Sequence, residues 1–300
     1  MDALKIFFIC GAPKSGTTSL YEYLYSHPDI CMSRPKETGY FFENYEQDLA
    51  GFWENHFDHC REATVLGEAS AGNMLHEEVA PRLARHFEDA KLIFLLRDPV
   101  ERLYSHYRFA INVGYLPPTT EFSQIIRDEE NEWRQTMVEL GMYHKHLVRY
   151  ANHFSRDQML VLLFKNYTSE TGEIVRQCFE FIGVDPDVEV ETEQIHNETA
   201  NLKHPGLYQA IYQLWKPLKN RLPERGLNAL FGIRSAVRGL FFQSGSQEKP
   251  QLCSEDRAYL SSLYTEPNAR LQEWLQSDLS HWTGMGKQDS MQENGILNTD

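Results

Sequence analysis

This sequence is short of positive charge, has no long hydrophobic run and has no paired-cysteine spacing; each shortage removes a class of function. With 29 Lys and Arg against 43 Asp and Glu, the formal net charge is −14. Binding of nucleic acid over a broad face is therefore excluded, because phosphate recognition on that scale needs a basic surface. A polyanion can be held only where cations are locally concentrated. The apolar run Ile6 to Cys10 is too short for a signal peptide or a membrane span, so a cytoplasmic chain with no transmembrane segment is expected. The five cysteines (Cys10, Cys31, Cys60, Cys178 and Cys253) are scattered without C-x-x-C spacing. Neither a disulfide framework nor a zinc site is expected from them, and a reducing compartment suits them. Two sequons, at Asn166 and Asn197, carry no weight without an export signal.

What the chain does have is enough apolar material for a full core, with 41% hydrophobic and 12% aromatic residues in 300. Short apolar runs alternate with amphipathic stretches through the first two-thirds, the pattern of a parallel sheet wrapped by crossover helices. Strands are expected at Lys5 to Cys10, Val65 to Gly67, Lys91 to Leu96 and Met159 to Phe164, all rich in Ile, Val, Leu and Phe with little alternation, as strands buried on both faces should be. Helices are expected at Thr17 to Ser26, Glu77 to Phe87, Val100 to Asn112, Tyr143 to His153 and Glu170 to Phe181. After about Asp185 the strand signals vanish, and helical segments near Pro205 to Asn220 and Glu255 to Gln276 read as a helical C-terminal cover. The expected organisation is a single α/β domain over 1–283 with a central, mostly parallel sheet flanked by helices, and a disordered tail over 284–300.

The segment Gly11-Ala12-Pro13-Lys14-Ser15-Gly16-Thr17-Thr18-Ser19-Leu20 places a Gly/Pro/Ser loop between a buried strand and a helix. Backbone N–H groups of such a turn and the helix N-terminus converge on one point, with hydroxyls and an ammonium nearby, which makes an anion site. It departs from the nucleoside-triphosphate loop in which a lysine immediately precedes the final Ser/Thr. Thr17 stands in that place and the lysine is Lys14. The strand Lys91 to Leu96 ends in Arg97, not in a metal-holding aspartate, although Asp98 follows directly.

Pro13-Lys14-Ser15-Gly16-Thr17-Thr18-Ser19-Leu20 resembles the 5′-phosphosulfate loop of sulfotransferases that use 3′-phosphoadenosine 5′-phosphosulfate (PAPS). The segment Leu92 to Tyr107 resembles the 3′-phosphate segment of the same family, in which an arginine at a strand end and a serine eight residues later grip the phosphate; Arg97 and Ser105 occupy those places. The resemblance implies a P-loop NTPase-like sulfotransferase fold, PAPS as donor co-substrate, PAP as product and no metal. It implies nucleotide contacts from Lys14, Ser15, Gly16, Thr17, Thr18, Ser19, Arg97 and Ser105, with Lys203 on a loop that closes over the nucleotide. Asp98-Pro99 supplies an N-cap and a first-turn proline for the helix that presents Ser105, while a salt bridge from Arg97 to Asp98 or Glu101 is the structural alternative.

Arg34-Pro35-Lys36-Glu37-Thr38-Gly39-Tyr40-Phe41-Phe42 is similar to the Lys-Glu-x-x-aromatic-Phe segment of heparan-sulfate-type and related bacterial members, whose glutamate acts as base; Glu37 matches it. The implied catalytic pair is Lys14, on the leaving phosphate, and Glu37, on the acceptor proton. A histidine base, as in the cytosolic small-molecule members, is the alternative, with His106 and His27 as candidates. Glu68, at another strand end, stays open between an acceptor-cleft role and a structural one. The acceptor is a hydroxyl or amine on a small molecule, a carbohydrate or a lipid or polyketide-type compound, and Tyr40, Phe41, Phe42, Trp53 and Trp133 are candidates to shape its pocket. A P-loop kinase-like phosphotransferase and a non-catalytic nucleotide-binding protein are the rival readings.

Overall fold

The computed structural model describes residues 5–60, 63–113, 115–117, 119–192, 201–202, 242–243 and 252–282. Lys203, the segment 205–220 and the tail 284–300 lie outside them. Five strands form one all-parallel sheet: β1 (Lys5–Gly11), β2 (Ile30–Met32), β3 (Val65–Ala69), β4 (Lys91–Leu96) and β5 (Met159–Leu163), in the spatial order β2-β3-β1-β4-β5. The apolar runs of β1 and β4 are buried on both faces, which is why they carry no polar alternation. Phe8, Cys10, Leu92 and Phe94 enter one core, whereas Phe7, Ile9, Ile93 and Leu95 enter the other.

The helices are α1 (Thr17–Tyr25), α2 (Tyr40–Glu43), α3 (Ala50–His56), α4 (Val79–His86), α5 (Pro99–Asn112), α6 (Phe122–Ile125), α7 (Glu132–Glu139), α8 (Tyr143–Ala151), α9 (Phe164–Ser169), α10 (Thr171–Ile182) and α11 (Ser254–Leu275). α1 and α10 cover one face of the sheet; α2, α3, α4 and α8 cover the other. α11 packs beside α5 and α8, with Tyr264 donating to the Val138 carbonyl at 3.1 Å and Asp256 accepting from Ser123 and Arg127 at 2.5 Å each. The expected C-terminal cover is thus present in its second helix.

Three expectations change. The edge strand β2 was not anticipated, since three residues are too few to carry a pattern, and beyond Asp185 a two-residue antiparallel ladder joins Asn201–Leu202 to Phe242–Gln243. The cysteines also depart from the reading above: Cys31, on β2, and Cys60 form a disulfide with Cα atoms 5.8 Å apart. The packing of α3 back onto the sheet edge brings them together, which their spacing of 29 residues does not disclose. Cys31, His59 and Cys60 also place potential metal-ligand atoms within 4.8 Å of one another, with both sulfurs committed to the disulfide. No helix among the described residues is long and apolar enough to cross a membrane.

Candidate active site

The loop after β1 is built by backbone. Ala12 N–H donates to Leu95 O at 2.9 Å, tying the loop to β4, and Ser15 N–H donates to Ala12 O at 3.3 Å. Lys14 (φ 68°) and Gly16 (φ 95°) take left-handed conformations that turn the chain into α1. At Gly16 a side chain is disfavoured twice, by the left-handed backbone and because a Cβ there would lie a tight 3.1 Å from the Tyr167 ring and 3.2 Å from the Phe164 ring. The first N–H groups of α1, from Thr17 onward, have no partner within the helix by geometry and open at this turn. Ser15 Oγ is fully buried with no hydrogen-bond partner, the kind of orphaned polar atom that a phosphate oxygen satisfies.

Two cations meet here, and a third, Lys36 on the Glu37 loop, acts on one of them. Arg97, at the carboxyl end of β4, points its guanidinium at the loop, with Nη1 3.4 Å from Lys14 O and the charge 5.0 Å from the Phe164 ring centroid. Lys14 Nζ lies 4.3 Å from the Phe109 ring centroid. Burial, then the charges of Arg97 and Lys36, push the Lys14 ammonium down to about 8. Burial also lowers Arg97, against the attraction of Glu101. Two positive charges held together against desolvation, in a chain with a net charge of −14, describe a site suited to an anion.

Arg97 also makes the structural bridge weighed above, with Glu101 Oε2 at 3.6 Å. Glu101 is shared, since Arg257 of α11 bonds its other oxygen. Asp98 caps α5 as its sequence predicts, accepting from Val100 N–H at 2.9 Å ahead of Pro99. Its carboxylate is thereby occupied as a cap, which weakens the metal-ligand role a kinase would need. Ser105 lies half-buried on α5. Thr17 and Ser19 are buried and Thr18 is half-buried in the first turn of α1.

Glu37 occupies a second loop, between β2 and α2, also with a left-handed backbone (φ 62°). Its N–H donates to Ala69 O at 2.9 Å, its Oε2 accepts from Ala71 N–H at 2.8 Å, and its Oε1 bonds Lys36 Nζ. The side chain is 49% exposed, so one face of the carboxylate is open to a ligand while the other is held. Of the pocket-shaping aromatics, Phe42 stacks on His76 at 4.3 Å beside this loop, but Tyr40 and Phe41 are buried core residues. Trp53 is packed against the core around Phe52 and Trp133 lies near Tyr107.

The two candidate histidines stand in different surroundings. His27 is buried with both ring nitrogens occupied, Nδ1 accepting from Asp29 N–H at 3.1 Å and Nε2 bonded to Asp185 O at 3.0 Å. Burial, with Arg102 and Lys14 nearby, pushes His106 down to about 3. Sequence reasoning missed the rings of Phe109, Phe164 and Tyr167 that wall the loop, because they come from distant elements with no motif of their own. It also left Glu68 undecided, although Glu68-Ala69-Ser70 at a strand's carboxyl end was a signal.

The chain is similar to known sulfotransferases. The model of the sulfotransferase domain family matches residues 5–205. Among curated proteins, the membrane-associated sulfotransferase kil1 of Dictyostelium discoideum is 40% identical over 111 residues, covering 36% of this chain and 23% of that protein. The bifunctional heparan sulfate N-deacetylase/N-sulfotransferase 4 of Mus musculus is 27% identical over 292 residues, covering 91% of this chain and 30% of that protein. The chain thus spans less than a third of the length of these two relatives. Among solved structures, a sulfotransferase from Alicyclobacillus acidocaldarius superposes with a TM-score of 0.68 at 24% identity, covering 93% of this chain and 99% of that one, and so shares the fold.

Proposed function

Because this chain belongs to the sulfotransferase domain family, we propose that it transfers a sulfuryl group from PAPS to a hydroxyl or amine, with Glu37 as base and Lys14 on the leaving phosphate. The observation that carries the reading is the meeting of Lys14 and Arg97 at one cationic turn, which suits the two ends of a doubly phosphorylated nucleotide. In the reaction the acceptor oxygen or nitrogen attacks sulfur in line. Its bond to sulfur forms as the bond from sulfur to the 5′-phosphate oxygen breaks, and PAP departs with that electron pair. The acceptor proton passes to the open face of the Glu37 carboxylate. Lys14 and the N–H groups of Gly16 to Thr18 face the charge that grows on the phosphate. Ser15, Ser19, Arg97 and Ser105 hold the nucleotide, and Lys203 is assigned to the same task from sequence alone.

For the acceptor we favour a saccharide. The N-deacetylase/N-sulfotransferase relative is named for heparan sulfate, and the Phe42–His76 stack beside Glu37 offers a flat apolar face to a sugar ring. Calorimetric titration with PAP, ATP and ADP tests the nucleotide. Tight PAP binding without magnesium supports the reading, and equal or better ATP binding favours a phosphotransferase. Labelled PAPS offered to unsulfated glucosamine-containing oligosaccharides, phenols and long-chain alcohols then tests the acceptor class.

A further inference from the structure

We propose that Glu68, which the reaction above leaves without a role, is a positioning residue that holds the Glu37 turn and couples its own charge state to that turn. The proposal rests on Glu37 being the base. Glu68, the penultimate residue of β3, is completely buried, and no Lys, Arg or His among the described residues forms an ion pair with it. Its hydrogen bonds all arrive from donors. Thr38 Oγ1 donates to Oε1 at 2.8 Å, Ser70 Oγ donates to Oε1 at 2.5 Å, and Asn73 Nδ2 donates to Oε2 at 3.2 Å.

Those donors lead directly to the base. Ser70 Oγ accepts the N–H of Gly39 at 3.0 Å, and Thr38 Oγ1 accepts the N–H of Tyr40 at 3.3 Å. Thr38 and Gly39 immediately follow Glu37, whose left-handed backbone persists only if its surroundings over-determine it. Ala69 O and Ala71 N–H hold Glu37 from the front, while Glu68 holds the two residues behind it. An ionised carboxylate is acceptor-only and serves all three donors at once, whereas an amide has a single acceptor oxygen. Burying an unpaired charge to fill space would be the costlier choice; here it orders a strained turn.

Burial raises the Glu68 carboxyl to about 7, against the hydrogen bonds from Ser70 and Thr38; the Glu37 charge adds to the rise and Lys36 opposes it. The other titratable groups facing it are Cys10 of β1 and Tyr150 of α8, both held neutral by burial. As pH falls through about 7 the carboxyl takes up a proton. It then donates one hydrogen bond, so one of the two hydroxyls turns its own proton away from Glu68 and the network that orients Thr38 and Gly39 rearranges. The turn is held above that pH and released below it.

The test is carboxyl-carbon NMR of the full chain labelled in glutamate and saturated with PAP, with the Glu37 resonance assigned by its loss in Glu37→Gln. The expected result is an inflection of the Glu37 resonance near pH 7 that disappears in Glu68→Gln and shrinks in Ser70→Ala, which cuts the link to Gly39. At pH 8, Glu68→Gln stays folded and keeps its PAP affinity while PAP release from PAPS with a glucosamine oligosaccharide falls about tenfold or more. Identical pH profiles of the Glu37 resonance in wild type and Glu68→Gln overturn the proposal, as does a loss of PAP affinity in step with the activity. Failure of the base assignment reads differently: Glu37→Gln would then turn over at the wild-type rate.

Discussion

Arg97 and Lys14, 83 residues apart in sequence, meet through the guanidinium Nη1 of one and the carbonyl oxygen of the other at 3.4 Å. One sits at the end of β4 and the other in the loop after β1, and these strands are neighbours in the sheet. The parallel arrangement therefore puts both at the same carboxyl edge, where open α/β sheets take their ligands.

Substituting Lys14 by Met should weaken PAP binding and abolish its alkaline pH dependence. In the free protein, burial and the charges of Arg97 and Lys36 hold the ammonium down at about 8. An anion favours the charged form, so wild-type affinity should fall as pH rises through that value. Calorimetry between pH 6.5 and 9.5 checks both the sign and its loss in the variant.

Replacing Arg97 by Lys keeps the charge but not the planar fork. Charged hydrogen bonds of this kind contribute about 1.5–3 kcal/mol, so affinity for PAP should drop roughly tenfold to a hundredfold. Adenosine 5′-phosphate, which lacks the 3′-phosphate, should lose much less. Competitive titration of the two nucleotides measures the difference.

Glu37→Gln should lower turnover by about 10² to 10⁴, the contribution of a positioned base, with PAP affinity close to wild type. The separation of rate from binding is the informative part. Single-turnover measurement of PAP formation resolves it.

Gly16→Ala should destabilise the fold and the loop together. A methyl group would press on Tyr167 and Phe164 in a backbone conformation with φ 95°, for which a loss of about 1–3 kcal/mol is expected. Urea denaturation with and without PAP tests this, because a loop defect should also shrink the stabilisation by ligand.

Removing the Cys31–Cys60 cross-link by a double Cys→Ser change, or by reduction, should cost about 3–4 kcal/mol for a closed loop of this size. The comparison is a denaturant midpoint with and without thiol reductant. The double variant should not respond to reductant.

Much of the fold was legible because buried parallel strands announce themselves as unbroken apolar runs. Lys91–Leu96 begins and ends where expected, and α5 starts at Pro99, one residue before the expected Val100, under the cap that Asp98 predicts. The short elements were not legible. β2 and the helices Tyr40–Glu43 and Ala50–His56 are too brief for periodicity to register: β2 exists through its pairing with β3 and the burial of Ile30 and Met32 in the core with Phe7, and the two helices through Phe41 and Phe52, which pack on each other and on Phe8.

By itself the sequence determined the chemistry available at each strand end: the lysine-bearing glycine loop, the Arg97 terminus and the Lys36-Glu37 pair, since local spacing decides which residues a turn can present. Only the tertiary structure decided which of these meet, that Cys31 reaches Cys60, and that Glu68 lies buried behind the Glu37 turn. Desolvation and hydrogen-bond direction depend on neighbours from remote elements, and those neighbours are set by how the sheet stacks rather than by anything adjacent in the chain.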